Sequence, residues 1–145
     1  MRLAIASDHG GFDLKVALID ELRSQGHDIV DHGPAQSVSC DYPDLAVPVA
    51  RAVASAAADL GILVCGSGIG MSIAANKVHG IRAAVVQDEE HARLARQHND
   101  ANVLCLGGRF TPNERALAIV RAWLDARFEG GRHIGRLAKI SALEG

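Results

Sequence analysis

Short apolar runs alternate along the chain with longer segments in which apolar residues recur at helical spacing. The runs end at turn residues and are too short for helices, which predicts strands that are covered on both faces. Five such strands are predicted, at residues 3–7, 28–31, 62–64, 81–86 and 102–106. Because they alternate with helices, we predict an α/β fold: a doubly wound (Rossmann-like) five-stranded parallel sheet with helices on both faces.

The helical segments carry recognisable start and end signals. Asp88 can cap a helix that continues to about residue 100. Residues 111–114, Thr-Pro-Asn-Glu, combine a capping box with proline at the first helical position. An alanine-rich helix is predicted at residues 45–58, and the single Trp123 falls on the buried stripe of a later helix, where we expect it to belong to the core.

Residues 59–77 join a predicted strand, a glycine-rich turn and a helix. Cys65 is the last residue of the strand or the first of the turn, and Gly66, Gly68 and Gly70 follow it. Glycine allows positive φ and close backbone approach, so several N–H groups can face one small space. Such a space favours the thiolate of Cys65, a nucleophile or a base. The spacing alone leaves a second interpretation open, in which Cys65 is a small hydrophobic residue that ends a buried strand.

Three familiar glycine-rich motifs do not fit this turn. A cysteine phosphatase loop needs an arginine, and the dinucleotide fingerprint G-x-G-x-x-G needs its last glycine, at the position of Met71. The phosphate loop of nucleotide hydrolases needs Gly-Lys-Ser/Thr, which is absent. Asp88 lies at a suitable distance for a ribose-binding acid, so a partial dinucleotide fingerprint remains as an alternative.

The composition is typical of one folded domain, and we predict that residues 1–145 form it. The hydrophobic content is 48%, the charged content 22%, and the net charge −2. These values offer no attraction to nucleic acid or to an anionic membrane. With no recognisable signal peptide or membrane span, we expect a cytoplasmic protein. Cys40, Cys65 and Cys105 are widely spaced and the histidines are scattered, so neither a disulfide framework nor a metal site is predicted.

The predicted topology sorts the polar residues between the two edges of the sheet. Right-handed crossovers bring all strand C-termini to one edge, where ligands bind. This edge would gather residues 8–10, the loop before Asp41 and Tyr42, residues 65–70 and residues 107–109. His98 and Asn99 end a helix and precede a strand, which places them at the opposite edge. Either His98 is a surface residue that interacts favourably with the helix dipole, or it works in the site of a neighbouring subunit.

Five segments carry a resemblance to a known family. They are SDHGG at 7–11, DYPD at 41–44, GILVCGSGIGMSIAANK at 61–77, RQHNDANVLCLGGR at 96–109 and EGGRH at 129–133. Together they span nearly the whole chain. They resemble the type B ribose-5-phosphate isomerases, a family shared with the bacterial galactose-6-phosphate isomerase subunits.

The resemblance implies an aldose–ketose isomerase that moves a proton between adjacent sugar carbons through an enediolate. It makes Cys65 the base, assigns the N–H groups of the turn from Gly66 to Gly70 to the enediolate, and lets the Ser67 hydroxyl help move the proton between the sugar oxygens. Met71 stands where some relatives have a catalytic glutamate, so the chain resembles the cysteine type. His98 would open the sugar ring, and Asp41 would lie near the reacting oxygens.

Further implied residues contact the substrate. The resemblance assigns the sugar to Asp8, Tyr42 and Asn99. It assigns the phosphate to His9, Arg109, Arg132 and Arg136. The guanidinium groups of the three arginines suit a pair of phosphate oxygens.

The implied partners are a phosphorylated sugar and further copies of the chain. The resemblance implies a homodimer or a dimer of dimers with sites shared between subunits, and no metal or other cofactor. The leading interpretation is interconversion of ribose 5-phosphate and ribulose 5-phosphate. The alternatives are another substrate, such as galactose 6-phosphate, allose 6-phosphate or a tetrulose phosphate, and a non-enzymatic nucleotide-binding module.

Overall fold

All five strands of the sheet are parallel, as the sequence predicts. The computed structural model describes residues 1–145. Its strands are β1 (Arg2–Ser7), β2 (Asp28–Asp31), β3 (Leu60–Cys65), β4 (Ala83–Val85) and β5 (Val103–Gly107), in the spatial order β2-β1-β3-β5-β4. The chain therefore reverses its direction across the sheet between β1 and β3, the kind of point where α/β proteins bind ligands.

The chain has six helices, and five of them cover the two faces of the sheet. The six are α1 (Phe12–Ser24), α2 (Tyr42–Ala54), α3 (Ile69–Ala75), α4 (Glu89–Asn99), α5 (Asn113–Asp125) and α6 (Arg132–Ala142). The first, fourth and fifth pack on one face, and α2 and α3 pack on the other. The predicted doubly wound α/β class is confirmed.

The core consists of two apolar layers, one on each face of the sheet. Successive residues of each central strand point into the two layers alternately. In β1, Leu3 and Ile5 pack toward α1, whereas Ala4 and Ala6 pack toward α2. Trp123 of α5 is completely buried in the first layer, as expected. Because both faces of the sheet are covered, the strands read as continuous apolar runs.

Several predicted boundaries differ from the observed ones. The edge strand β4 is shorter than predicted because it pairs on one side only and because Arg82, just before it, donates its N–H to the side chain of Asn102. The predicted capping box is wrong: α5 begins at Asn113, after Pro112, with no side-chain cap. The helix expected at residues 45–58 starts earlier, with Pro43 in its first turn and Pro48 in its interior.

The last helix, α6, lies largely exposed. His133 is its only buried residue, although Ile134, Ile140 and the neighbouring Leu143 are apolar. None of the six helices is long and apolar enough to cross a membrane.

A buried lysine holds the start of the loop that leads from β2 to α2. Lys15 of α1 is only 1% exposed, and its Nζ lies 3.0 Å and 3.2 Å from the two carboxylate oxygens of Asp31. The same ammonium donates to the carbonyl of Pro34 at 2.6 Å and lies 5.1 Å from the centre of the Phe12 ring. All three donor positions of the ammonium can thus be directed at protein groups.

Replacing Lys15 by methionine tests this contribution to stability. Lys15→Met keeps the apolar stem but leaves the Asp31 carboxylate and the Pro34 carbonyl without their partner, so we expect the free energy of unfolding to fall by about 2 kcal/mol, between the values for exposed and fully buried ion pairs. Urea denaturation at one fixed protein concentration measures this. The control is Lys77→Met at an exposed position, and equal stability of the two variants would contradict the expectation.

Candidate active site

A cavity of about 370 Å³ opens where β1 and β3 end at the C-terminal edge of the sheet. Its lining consists of Asp8, Tyr42, Cys65, Gly66, Ser67, Gly70, Arg109 and Phe110. All but Phe110 are among the residues that the sequence predicts for the site. The fold thus brings together four loops that lie far apart in the chain.

The turn after β3 directs the backbone N–H of Gly68 toward Cys65. Cys65 is the last residue of the strand and is 4% exposed, and the N–H of Gly68 donates to its Sγ at 3.1 Å. Gly68 has φ +81°, a conformation that glycine adopts readily. The N–H groups of Gly66 and Ser67 bond to no other group of the chain. They remain available to an oxyanion in the cavity.

Neighbouring loops are hydrogen-bonded to this turn. Gly108 donates its N–H to the carbonyl of Cys65 at 2.7 Å, and Arg109 donates its N–H to the carbonyl of Gly66 at 3.1 Å. The Arg109 guanidinium lies over Gly66, so close that a Cβ on Gly66 would be 3.3 Å from it. Asp8 accepts from the N–H groups of the next turn, at 2.8 Å and 3.2 Å. The positions of Arg109 and Asp8 are therefore fixed by backbone contacts.

The start of α2 supplies a second wall. The Tyr42 ring packs against Gly70, where an added Cβ would come within 2.7 Å of the ring. Asp41, just before the helix, is exposed and its carboxylate makes no capping bond. His9 lies nearby, since its Nδ1 faces the N–H of Cys40 at 3.4 Å.

Four of the residues predicted for the site lie elsewhere. His98 and Asn99 are at the C-terminal end of α4, which precedes β5 and therefore lies at the opposite edge of the sheet, as the topology predicts. Arg132 and Arg136 are exposed on α6, which packs against α4. A single chain does not bring these four residues to Cys65.

A larger cavity, of about 600 Å³, lies near the ends of α4 and α6. It is bounded by the end of α3, by β4 and by the end of α6, and Asn99 is the only predicted site residue in its lining. Its lining contains no cysteine, and its only carboxylate, Glu144, accepts the N–H of Gly80 at 3.0 Å. The larger volume therefore does not by itself identify the site.

His98, Glu129 and His133 form a cluster of metal-ligating residue types that the sequence does not reveal. Their ligand atoms lie within 4.8 Å of one another. The two imidazole rings are stacked, with centroids 4.4 Å apart and planes inclined by 17°, so their nitrogen lone pairs run side by side and do not converge. Arg132 and Arg136 add positive charge at this place. The ring arrangement and the added positive charge therefore do not favour a metal centre.

Burial and charge shift the protonation equilibrium of His133 in this cluster. Burial lowers the pKa of His133, and the neighbouring His98 and the two arginines lower it further, while Glu129 acts in the opposite direction. At neutral pH the His133 ring is consequently uncharged and can stack on His98 without charge repulsion.

The other candidates from the sequence prove to have structural roles. Asp88 caps α4 through the N–H of His91 at 2.8 Å, and this bond lowers the pKa of the Asp88 carboxyl. It is therefore already engaged as a helix cap. Cys105, in the middle of β5, is completely buried, and burial raises the pKa of its thiol. The residues that sequence reasoning missed are Phe110, 75% exposed at the cavity, and the pair Glu129 and His133.

The three thiols should differ in reactivity. We expect iodoacetamide to modify Cys40 and Cys65 in the folded protein, because Cys40 is partly exposed and Cys65 lines the cavity, whereas Cys105 should react only in denaturant. Peptide mass spectrometry with and without urea measures this. Modification of native Cys105 as fast as of Cys65 would contradict the described burial.

Comparisons with known proteins agree with this geometry. The ribose/galactose isomerase family model matches residues 3–140. A ribose-5-phosphate isomerase B of Escherichia coli is 48% identical over 143 residues, covering 99% of this chain and 96% of that protein.

Solved structures show the same likeness. A ribose-5-phosphate isomerase B of Clostridium thermocellum superposes with a TM-score of 0.98 at 50% identity, over 99% of this chain and 97% of that one. A Mycoplasma genitalium ribose-5-phosphate isomerase B with bound ribulose-5-phosphate gives a TM-score of 0.96 at 47% identity, over 99% and 95%. The chain therefore belongs to the ribose/galactose isomerase family.

Proposed function

We propose that the protein is an aldose–ketose isomerase that interconverts ribose 5-phosphate and ribulose 5-phosphate. The observation that carries the proposal is the Sγ of Cys65 at the cavity wall, with the N–H of Gly68 at 3.1 Å. The relatives of Escherichia coli and Clostridium thermocellum carry this activity in their names, and that of Mycoplasma genitalium binds ribulose-5-phosphate. Their high identity over nearly the full chain supports the same substrate here.

Cys65 is the proposed base of the proton transfer. Its thiolate takes the proton from C2 of the open aldose and returns it to C1, or the reverse in the other direction, through an enediolate. The Gly68 N–H is placed to stabilise the thiolate as a charge-assisted hydrogen bond. Cys105 is excluded by its complete burial.

The turn is the proposed binding site for the enediolate oxygens. The N–H groups of Gly66 and Ser67 have no partner within the chain and face the cavity as donors of an oxyanion hole. The Ser67 hydroxyl is proposed to move the proton between the two oxygens. Asp41, which makes no capping bond, is proposed to assist beside them.

The remaining proposed contacts divide between two groups of residues. Asp8 and Tyr42 contact the sugar, and His9 and Arg109 contact the phosphate, all from the C-terminal edge of the sheet. Asn99 contacts the sugar, and Arg132 and Arg136 contact the phosphate, from the end of α4 and from α6. We propose that these two groups come from different copies of the chain.

A homodimer, alone or paired into a dimer of dimers, accounts for this division. One copy supplies Cys65, and the other supplies His98 for ring opening. The apolar Ile134 and Ile140, exposed on α6 at 59% and 44%, support a covering partner. We further propose that residues 1–145 act as one domain, in the cytoplasm, with no metal or other cofactor.

Replacing Cys65 tests the base. Cys65→Ser keeps the shape of the site but lacks a readily ionised group, so we expect kcat to fall by roughly 10²- to 10⁴-fold with the binding of the phosphorylated sugar largely kept. An assay with ribose 5-phosphate, and titration of the substrate against the variant, measure both. Cys105→Ala is the matched control, and full activity of Cys65→Ser would exclude the assignment.

Mixing two inactive variants tests the shared site. If Cys65 and His98 act across subunits, a dimer of one Cys65→Ser chain and one His98→Asn chain has one intact site. Random reassembly after unfolding the mixture should then restore about a quarter of the wild-type activity, since half of the dimers are mixed and each has one of two sites intact. If the mixture stays as inactive as each variant alone, the two residues belong to the same chain's site.

A further inference from the structure

The chain segment after α5 brings a carboxylate and an imidazole to His98. The Oε1 atom of Glu129 lies 3.6 Å from Nε2 of His98 and 3.7 Å from Nε2 of His133. The His133 ring is stacked on that of His98. The Nε2 atoms of the two side-by-side rings thus both lie near one carboxylate oxygen, which has lone pairs for two donors.

The sequence builds this cluster with a backbone bond and two glycines. Glu129 donates its N–H to the carbonyl of Gln97 at 3.0 Å, which ties the segment to the end of α4 beside His98. Gly130 and Gly131 follow with φ of +67° and +56°, values that residues with a Cβ rarely adopt. They turn the chain so that His133 stacks on the face of the His98 ring while Glu129 lies beside its Nε2.

Glu129 is the only anion in an otherwise positive environment. Arg132 and Arg136 lie on the same segment, and His133 is kept uncharged by its burial and by these neighbours. Glu129 is half exposed and His98 about one-third exposed in the single chain, so other groups of the same chain do not enclose either side chain. Closing their 3.6 Å separation to a hydrogen bond of about 2.8 Å needs less than 1 Å of movement, a common difference between free and substrate-bound sites.

We propose that Glu129 is a positioning residue for ring opening: its carboxylate accepts the Nε2–H of His98 and leaves Nδ1 as the proton-accepting nitrogen. Nδ1 then takes the proton from the anomeric hydroxyl O1, the bond between C1 and the ring oxygen O4 breaks as the C1–O1 carbonyl forms, and Nδ1 returns the proton to O4. Glu129 balances the positive charge that His98 carries between the two transfers. His133 holds the carboxylate and the ring in place by stacking and by its own Nε2–H.

This inference rests on the proposed role of His98. The chemistry of the two substrates separates ring opening from the proton transfer at Cys65. Ribulose 5-phosphate cannot close a five-membered ring, because its O5 carries the phosphate, so it needs no ring opening. Exchange of its C1 hydrogen with D2O therefore reports the Cys65 step alone. Ribose 5-phosphate, which is cyclic, needs both steps.

The test compares Glu129→Gln with Glu90→Gln, an exposed glutamate near the start of α4 whose carboxylate pairs with Arg93. We expect Glu129→Gln to lower kcat/KM for ribose 5-phosphate by roughly 10- to 100-fold, less than the roughly 10⁴-fold effect of altering the carboxylate of a serine-protease triad. The D2O exchange from ribulose 5-phosphate should change by less than about twofold. Glu90→Gln should match the wild type in both assays.

Nitrogen-15 spectra of the histidine rings report the tautomer of His98, which would not change if Glu129 had only a structural role. In the wild type we expect the proton of His98 on Nε2, and in Glu129→Gln a mixture of the two tautomers, with the His98→Asn variant identifying the signals. Should Glu129→Gln destabilise the fold, Glu129→Ala with added formate is the second variant, and partial recovery of the ribose 5-phosphate rate is expected.

The outcomes distinguish the proposed role of Glu129 from the proposed role of His98. Loss of the ribose 5-phosphate rate in both His98→Asn and Glu129→Gln, with exchange kept, supports the inference. Loss in His98→Asn but not in Glu129→Gln, or an unchanged His98 tautomer, overturns the role of Glu129. An unaffected His98→Asn overturns the proposed role of His98 itself, and the role of Glu129 in ring opening with it.

Discussion

The common direction of the five strands is the constraint on which the arrangement of the candidate site depends. Cys65 ends β3 opposite Gly107, the last residue of β5, whereas α4 must return to the start of β5 at Val103. Four residue steps of strand, at about 3.3 Å each, put roughly 13 Å of sheet between the two edges. His98 lies beyond the far edge, and no side-chain rotation covers that distance. A parallel sheet of this size therefore separates the thiol from the imidazole within one chain.

The segment after α5, which includes Glu129 and α6, lies beside His98 and not beside Cys65. Because Glu129 bonds to the backbone of Gln97, the residues that follow are held beside His98. Arg132 and Arg136 therefore lie on the same side of the molecule as the imidazole. In the proposed shared site, a partner chain that brings His98 to a Cys65 turn brings the two arginines at the same time, so the placement of α6 would link the proposed ring opening to the proposed phosphate binding.

Patterns that depend on neighbours in the sequence predict the fold well, and contacts between distant segments limit the prediction of the site. Apolar runs predict the five strands, the preference of aspartate for helix starts predicts the Asp88 cap, and strand direction predicts the separation of His98 from Cys65. The capping box at 111–114 fails because α5 starts one residue later than its spacing requires, with Pro112 and not Thr111 before the first helical residue. The Lys15 contact with Asp31 and the Glu129 contact with His98 join segments 16 and 31 residues apart, which no local pattern reports.

Two cysteines on adjacent strands show how position along a strand decides chemistry. Cys105 pairs in register with Leu63, in the middle of the sheet, and Cys65 lies two residues further along β3, where the strand ends. Both side chains belong to the same apolar layer, yet burial raises the pKa of Cys105, while Cys65 receives the Gly68 N–H and borders the cavity. The two residues are of the same type and lie on the same face of the sheet. The two-residue difference in position is what gives only Cys65 the backbone donors of a turn, and those donors are what a thiolate at this edge requires.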